Sequence, residues 1–155
     1  MKYEEKSGKK DFFSIEDAQN QALRKGREAE FLDVLKYMNR FYEISECNVF
    51  YSKNLFRNKE PYELYFFFED EVVIGKSFPD QDSKELITIS KVKYKDVNDI
   101  KLSYLDVDLS SGELPNILEI KLNNGKHIVL DSIKDPNSNK ISSFINKIER
   151  IYSLI

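Results

Sequence analysis

The amino-acid sequence predicts an α+β domain with an N-terminal helical segment, seven antiparallel strands and a C-terminal helix. Apolar residues recur at the helical period before residue 43, whereas β-branched and aromatic residues dominate from Cys47, where the period shifts towards two. Seven strand candidates follow one another without room for crossover helices, which favours an antiparallel meander. We therefore expect a seven-stranded barrel or bent sheet that is capped by the last helix.

The composition limits the chemistry of the chain. Its 155 residues fit one domain, and 24 basic against 27 acidic side chains give a net charge of −3, which argues against a general nucleic-acid binder. One cysteine and one histidine leave no intramolecular disulfide and nearly exclude Cys/His zinc sites and histidine-centred catalysis. No apolar stretch approaches a membrane span and the charged start is unlike a signal peptide, so a cytoplasmic location is predicted.

The N-terminal region is predicted to be helical after a charged start. Segment 1–13 has little to bury at its beginning and is predicted to be disordered or frayed. Ser14, followed by two acidic residues, is typical of a helix N-cap, and Gly26 indicates a kink or a junction between two helices. The range 27–42 is predicted to be an amphipathic helix from the spacing of Phe31, Leu35, Met38 and Tyr42. We expect 14–45 to form a helical segment that packs on the sheet.

Strands are predicted at 47–53, 62–69, 72–78, 86–94, 100–107, 116–122 and 126–132. The last hairpin can be placed in register from its side chains. A two-residue Asn-Gly turn would turn the apolar residues of the two strands to opposite faces. A three-residue loop, 123–125, sets Ile120 opposite Ile128 and Leu118 opposite Leu130, so we predict that loop with its glycine in the left-handed conformation.

Strand 86–94 changes phase along its length. Ile87 and Ile89 occupy odd positions, whereas Val92 occupies an even one, which predicts a bulge or bend near 90–91. Such a bend would let a small sheet turn a corner and close on itself.

The C-terminal helix is predicted to start with Asp135 as its N-cap and Pro136 at the first helical position. Its apolar face would cover the open end of the sheet and consists of Ile141, Phe144, Ile145, Ile148, Ile151 or Tyr152, and Ile155.

This order of elements resembles a bacterial pleckstrin-homology-like (PH-like) domain over 46–155. The segment 65–74 looks like the hairpin of such domains, with two apolar strands around a charged turn. The segment 94–102 is similar to their tyrosine, aspartate and isoleucine start of the fifth strand, and 118–122 with 127–130 fits their final hairpin. The whole chain looks like small uncharacterised proteins of Bacillus-type bacteria that carry this domain.

The resemblance also raises phosphoinositide binding, which eukaryotic members achieve through basic residues in and after the first strand-strand loop. That loop would be 52–60 here and carries Lys53, Arg57 and Lys59. The following strand lacks the basic pair that completes the lipid pocket. Binding of an anionic lipid or headgroup is therefore kept as a second alternative function.

Three lysines on one side of a predicted strand form a basic row, Lys91, Lys93 and Lys95. They could contact an anionic partner, or they could keep an exposed edge strand from aggregating. His127 is predicted at the surface, and Cys47 is predicted to be a buried, unreactive thiol.

The most informative pattern is aromatic. The ranges 65–68 and 72–74 are apolar at consecutive positions, whereas a sheet with one face in water would alternate. The N-terminal helix, a second copy of the chain or a different protein could cover the second face, and we favour the helix. The predicted interaction surface consists of Tyr65, Phe67, Val73, Phe31, Leu35 and Met38.

These observations favour a non-enzymatic binding module that recognises a protein partner or itself, without a cofactor, metal or small-molecule substrate. The alternative from another class is a small negative regulator of a transcription component, of the anti-sigma type, which docks through helix 27–42. An enzyme with Asp or Glu chemistry in an unrecognised pocket is the third hypothesis. We expect no nucleic-acid partner and at most peripheral contact with a membrane.

Overall fold

The structure, a computed structural model, describes residues 13–55, 61–79, 85–106, 113–136 and 140–155. The helices in these ranges are α1 (Ile15–Arg24), α2 (Glu28–Met38) and α3 (Ile141–Leu154). The strands are β1 (Val49–Lys53), β2 (Tyr62–Phe67), β3 (Glu71–Pro79), β4 (Glu85–Lys93), β5 (Val97–Tyr104), β6 (Asn116–Leu122) and β7 (His127–Asp131). Two short 3₁₀ turns are at Ile44–Glu46 and Tyr94–Asp96.

The strands form two antiparallel sheets, which we call sheet A, in the order β1-β2-β3-β4, and sheet B, in the order β5-β6-β7. The predicted α+β class, the antiparallel strands and the C-terminal helix are confirmed, and each strand lies within three residues of its predicted bounds. The predicted barrel is not closed, because no strand of sheet A pairs with a strand of sheet B in the described ranges.

The N-terminal helices meet at a glycine. Ser14 caps α1 by accepting from the Asp17 amide, and the Asp17 carboxylate accepts from the Ser14 amide, so both ends of this capping box are formed. Gly26 has φ of +70° and lies between α1 and α2, where a left-handed residue lets the chain turn. The predicted frayed segment lies outside the described residues except for Phe13, which is buried and packs on Phe144 of α3, with ring centroids 5.8 Å apart.

Both faces of sheet A are covered within the chain. On the face that we call the helix face, a Cβ on Gly75 would lie 2.5 Å from Met38 Sδ and 2.7 Å from a Val34 methyl, so α2 lies directly on β3. On the opposite face, which we call the inner face, the Tyr51 ring packs against Phe144 of α3 at 5.0 Å. Of the three elements that could cover the second face, the structure therefore shows the N-terminal helix.

Among the described residues, sheet B is covered on one face only. In β6 the inward residues Leu118 and Ile120 are buried, and Glu119, which lies between them, is exposed. The register of the last hairpin is confirmed, since Ile120 pairs with Ile128 and Leu118 with Leu130. The three-residue loop is present, and Gly125 has φ of +86°.

The bulge predicted in the fourth strand is wrong. β4 pairs with β3 without interruption from Glu85 to Lys93. Ile89 lies opposite Gly75 on the helix face, whereas Val92 lies opposite Val72 on the inner face. Because both faces of sheet A are covered, the apolar positions change parity without any change in the backbone. The register shift of this region is instead in β5, at its first residues.

The predicted start of the last helix is also wrong. α3 begins at Ile141, with Lys140 at its N-cap, five residues after the predicted cap. Asp135 is buried instead, and its carboxylate accepts hydrogen bonds from the Tyr51 hydroxyl at 2.5 Å and the Asp131 amide at 2.7 Å. The aspartate thus joins the end of β7 to β1 and is not available to cap a helix.

Helix α3 runs along β1, an edge strand of sheet A. Lys147 is 1% exposed and its Nζ donates to the Phe50 carbonyl at 2.6 Å, while Arg150 Nη2 donates to the Asn48 carbonyl at 3.0 Å. The Asn116 amide of β6 donates to a carbonyl of the same helix, that of Ile145, at 3.2 Å. α3 therefore connects the two sheets through main-chain groups as well as through its apolar face.

Candidate interaction surface

The six residues of the predicted interaction surface are all buried inside the chain, with exposed fractions of 4% or less. They therefore do not form an exposed surface in this structure, and this part of the prediction is corrected. The reason is that α2 and the inner core already occupy both faces of sheet A, so the aromatic side chains pack within the chain.

The structure also separates these six residues into two groups. Val73 shares its face of β3 with Gly75, so it lies under α2 together with Phe31, Leu35 and Met38. Tyr65 is opposite Ile74 on the inner face, where its ring meets Tyr51 edge-on at 6.4 Å, and Phe67 lies two positions along the same face. Sequence alternation could have indicated this separation, because 65 and 67 have the opposite parity from the residues of β2 that face α2.

The residues predicted to contact an anion do not come together as one site. Lys53 is half-buried, its Nζ donates to the Val129 carbonyl, and it lies 5.7 Å from the centre of the Tyr65 ring. Arg57 and Lys59 lie outside the described residues. The basic row is exposed, but Lys95 belongs to the 3₁₀ turn after β4, so only Lys91 and Lys93 are strand residues.

A buried polar cluster joins the two sheets near Lys53. Burial and the neighbouring Asp135 carboxylate hold the pKa of Tyr51 well above its ordinary value. Burial also raises the pKa of Asp135, against the opposing effect of the Lys53 ammonium. Because hydrogen bonds within the cluster satisfy these groups, we interpret it as a structural connection between β1 and β7.

One buried hydroxyl on the helix face is different. Tyr62 OH is fully buried and has no hydrogen-bond partner among the described residues. The Arg27 guanidinium lies over the Tyr62 ring at 4.5 Å, and Phe31 contacts the same ring. Burial raises the pKa of this hydroxyl above its ordinary value. The predicted burial of Cys47 and the exposure of His127 are both confirmed.

The exposed feature of greatest interest is at the C-terminal end of α2. Two cations lie over the Tyr37 ring, with Arg40 4.6 Å and Lys36 5.5 Å from its centre. Phe41, at 71%, is the most exposed of the large hydrophobic side chains in the described residues. We call this surface the α2 patch and define it as Lys36, Tyr37, Arg40, Phe41, Tyr42 and Phe68.

The aromatic rings of the α2 patch continue from the helix to the turn between β2 and β3. Phe41 and Tyr42 have ring centroids 6.5 Å apart, and Tyr42 and Phe68 have centroids 6.3 Å apart. Partial burial, together with the nearby Glu71 carboxylate, raises the pKa of Tyr42 above its ordinary value. The patch therefore has cations at one end and an acidic turn, 69–71, at the other.

The predicted unbroken helix, 27–42, contains every residue of this patch except Phe68, and for that reason the patch was not predicted. In the structure α2 ends at Met38, and turns follow in which the Phe41 and Tyr42 amides bond to the Met38 carbonyl. Phe41 thereby leaves the apolar stripe and enters solvent. The polar pair Asn39-Arg40 was the available signal for the end of the helix.

No helix in the described ranges is both long and apolar enough to cross a membrane. The sequence profile of a family described as proteins of unknown function, DUF3908, matches residues 4–146. No curated protein and no solved structure matches the chain.

Proposed function

The chain belongs to the DUF3908 family of proteins of unknown function, and from this starting point we propose that it is a non-enzymatic module that binds a protein partner through the α2 patch. The observation that carries the proposal is the exposure of Phe41 next to Tyr42, on the same patch as Tyr37, whose ring two cations contact. The cytoplasmic location and a bacterial origin of the Bacillus type belong to the same proposal.

The scaffold that we propose is PH-like. Four antiparallel strands, then three, then a C-terminal helix that connects the sheets, support this assignment. Helices α1 and α2 are an addition that precedes the first strand. Because α2 carries the patch, the proposed binding surface belongs to the added segment rather than to the PH-like part of the chain.

The residue types of the α2 patch support protein binding. Tyrosine and arginine are enriched among the side chains that dominate interface energies, and phenylalanine is enriched in interfaces generally. Cation-π contacts of Arg40 and Lys36 hold Tyr37, so little side-chain entropy would be lost on binding. An exposed Phe41 side chain gains most when a partner removes it from water.

The burial of the opposite side of α2 favours binding with the helix in place. Phe31, Val34 and Met38 are fully buried against sheet A, so detachment of α2 would expose a large apolar surface. For the alternative function, a negative regulator that docks through this helix, the exposed α2 patch is therefore a more suitable contact surface than the buried apolar stripe. Anionic lipid binding gains no comparable support, because Lys53 bonds to a main-chain carbonyl of β7.

A photo-crosslinking amino acid at position 41, in cells that naturally express the chain, tests the proposal. We expect a discrete adduct with a different protein, identified by mass spectrometry, which is lost when Lys36→Glu and Arg40→Glu are introduced. The same amino acid at position 152 is the matched control, because Tyr152 is 44% exposed on α3, away from the patch. Absence of an adduct at position 41, or the same adducts at both positions, would overturn the proposal.

A further inference from the structure

The two edges of sheet A differ in how their main-chain groups are used. At the β1 edge, Phe50 accepts a hydrogen bond from Lys147 of α3, and Asn48, just before the strand, accepts one from Arg150. The other edge is β4, a strand of nine residues that has no second strand partner among the described residues. Its pairing with β3 is regular along its whole length, so no bulge turns this edge away from a further strand.

The sequence of β4 is complementary to itself when two copies run antiparallel. A twofold axis perpendicular to the sheet that pairs all nine residues must pass midway between the two copies of the central residue, Ile89. Glu85 of one copy then lies opposite Lys93 of the other, and the twofold axis repeats this pair at the other end of the strand. Opposite charges in directly opposed positions stabilise an antiparallel pair.

Most positions between the charged ends are also matched, and the exception is Ile87, which lies opposite Lys91. Leu86, which is 44% exposed, would lie opposite Val92 of the second copy, and Thr88 would lie opposite Ser90. Ile89 would meet its own counterpart on the face that α2 covers, and this side chain is already partly buried against the core. A hydrophobic pair, a hydroxyl pair and a charged pair thus coincide in one register.

We propose that β4 is the self-association surface of this chain, where two copies pair antiparallel about Ile89 and join their sheets into one of eight strands. The charges of β4 favour a second copy of the chain as the partner of this edge. An edge that only prevents aggregation needs one sign of charge, whereas β4 carries a carboxylate at one end and two lysines at the other. The Ser77 hydroxyl of β3 donates to Glu85 Oε1 at 2.7 Å, and pairing with Lys93 of a second copy would use the other carboxylate oxygen or replace this bond.

In the proposed dimer, two lysines of the basic row lie close to an acidic residue of the second copy. Lys93 faces Glu85 of the second copy directly, and Lys91 lies diagonal to the same carboxylate, within reach of a long side chain. Lys95 lies beyond the strand and has no place in the pairing. The proposal does not depend on the α2 patch, because none of the residues that define the patch belongs to β4.

Sedimentation of the full chain over a range of concentrations tests the proposal, with a charge swap as its main variant. We expect a concentration-dependent species of twice the chain mass of 18.3 kDa. Lys93→Glu and Glu85→Lys should each raise the dissociation constant about tenfold, and the double variant should restore it. Lys95→Glu is the matched control and should leave the dissociation constant unchanged.

Cysteine pairing provides a second measurement that does not depend on charge. In a Cys47→Ala background, Thr88→Cys mixed with Ser90→Cys should form an intermolecular disulfide on mild oxidation, because directly opposed residues lie within disulfide reach. A monomer at all concentrations would overturn the proposal, as would a dimer that Lys93→Glu leaves intact. A dimer that depends on Phe41 and not on Lys93 would assign self-association to the α2 patch and would also overturn it.

Discussion

Sheet A and sheet B are built from the same kind of strand but differ in how many of their faces are covered. In β2 of sheet A, five of the six residues are buried, whereas in β6 of sheet B buried and more exposed residues alternate. The difference comes from α2, which covers the helix face of sheet A. Loss of alternation in a strand therefore indicates a second covering layer, and here that layer is in the same chain.

The largest expected difference between the two sheets is in the stability that is lost when consecutive residues of a strand are replaced by alanine. The side chains of Phe66 and Phe67 face opposite sides of β2. Phe66→Ala and Phe67→Ala should each lower the free energy of unfolding by about 3–5 kcal/mol. In β6, Leu118→Ala should cost about 2–5 kcal/mol, whereas Glu119→Ala should change stability by less than about 0.5 kcal/mol. Urea unfolding of the four variants measures this, and a cost for Phe66 or Phe67 as small as that for Glu119 would contradict the two-faced description.

A smaller effect is expected where α2 meets β3. Gly75→Val would place methyl groups against Met38 and Val34, and we expect a loss of about 1–3 kcal/mol. Lys76→Val is the matched control, since the next residue lies on the other face and its side chain is 42% exposed. Equal effects of the two substitutions in thermal and urea unfolding would mean that α2 does not press on this strand.

Alkaline pH should weaken sheet A specifically. Burial raises the pKa of four tyrosines in or beside this sheet, namely Tyr51, Tyr62, Tyr65 and Tyr94. In the unfolded chain a tyrosine loses its proton near pH 10, while the folded state keeps it, so the unfolded state binds fewer protons and stability falls as pH rises above 10. Each such tyrosine contributes about 1.4 kcal/mol per pH unit to this fall.

Replacement of one of these tyrosines tests the origin of the slope. Tyr62→Phe should reduce the dependence of the unfolding free energy on pH by that amount, as measured by circular dichroism in urea between neutral and alkaline pH. Leu118→Val in sheet B is the control, which should lower stability equally at every pH. An unchanged slope in Tyr62→Phe would show that its hydroxyl titrates alike in both states.

The smallest effects concern two buried tyrosine hydroxyls, whose removal should change stability at neutral pH by different amounts. Tyr51→Phe removes a donor to the buried Asp135 carboxylate and should cost about 1–3 kcal/mol. Tyr62→Phe removes a hydroxyl without a partner among the described residues, so it should be neutral or stabilise by about 1 kcal/mol. Similar losses for both variants, measured by differential scanning calorimetry, would show that Tyr62 has a partner in solution.

The last hairpin of sheet B could be predicted to the level of its register, because the information is local. Alternation in β6 and β7 decides which residues face inward, and Gly125 can adopt the positive φ that the three-residue loop needs. The presence of a covering layer on sheet A was also predictable, since consecutive apolar residues require one.

Three features could not be predicted because tertiary contacts decide them. Asp135 has the sequence context of a helix cap, but Tyr51, eighty-four residues earlier, binds its carboxylate. The parity change in β4 comes from partial coverage of its two faces, which the sequence presents in the same way as a bulge. The end of α2 at Met38, which exposes Phe41, leaves only a weak local signal.

The hydrogen bonds from α3 to the β1 edge also set an order of events during synthesis. Lys147 is made 97 residues after Phe50, whose carbonyl it binds. At about 5–20 residues per second, this interval lasts roughly 5–20 s on the ribosome. During that time β1 can pair with β2, but its other edge lacks the donor from α3 and stays open to other strands until the last helix docks.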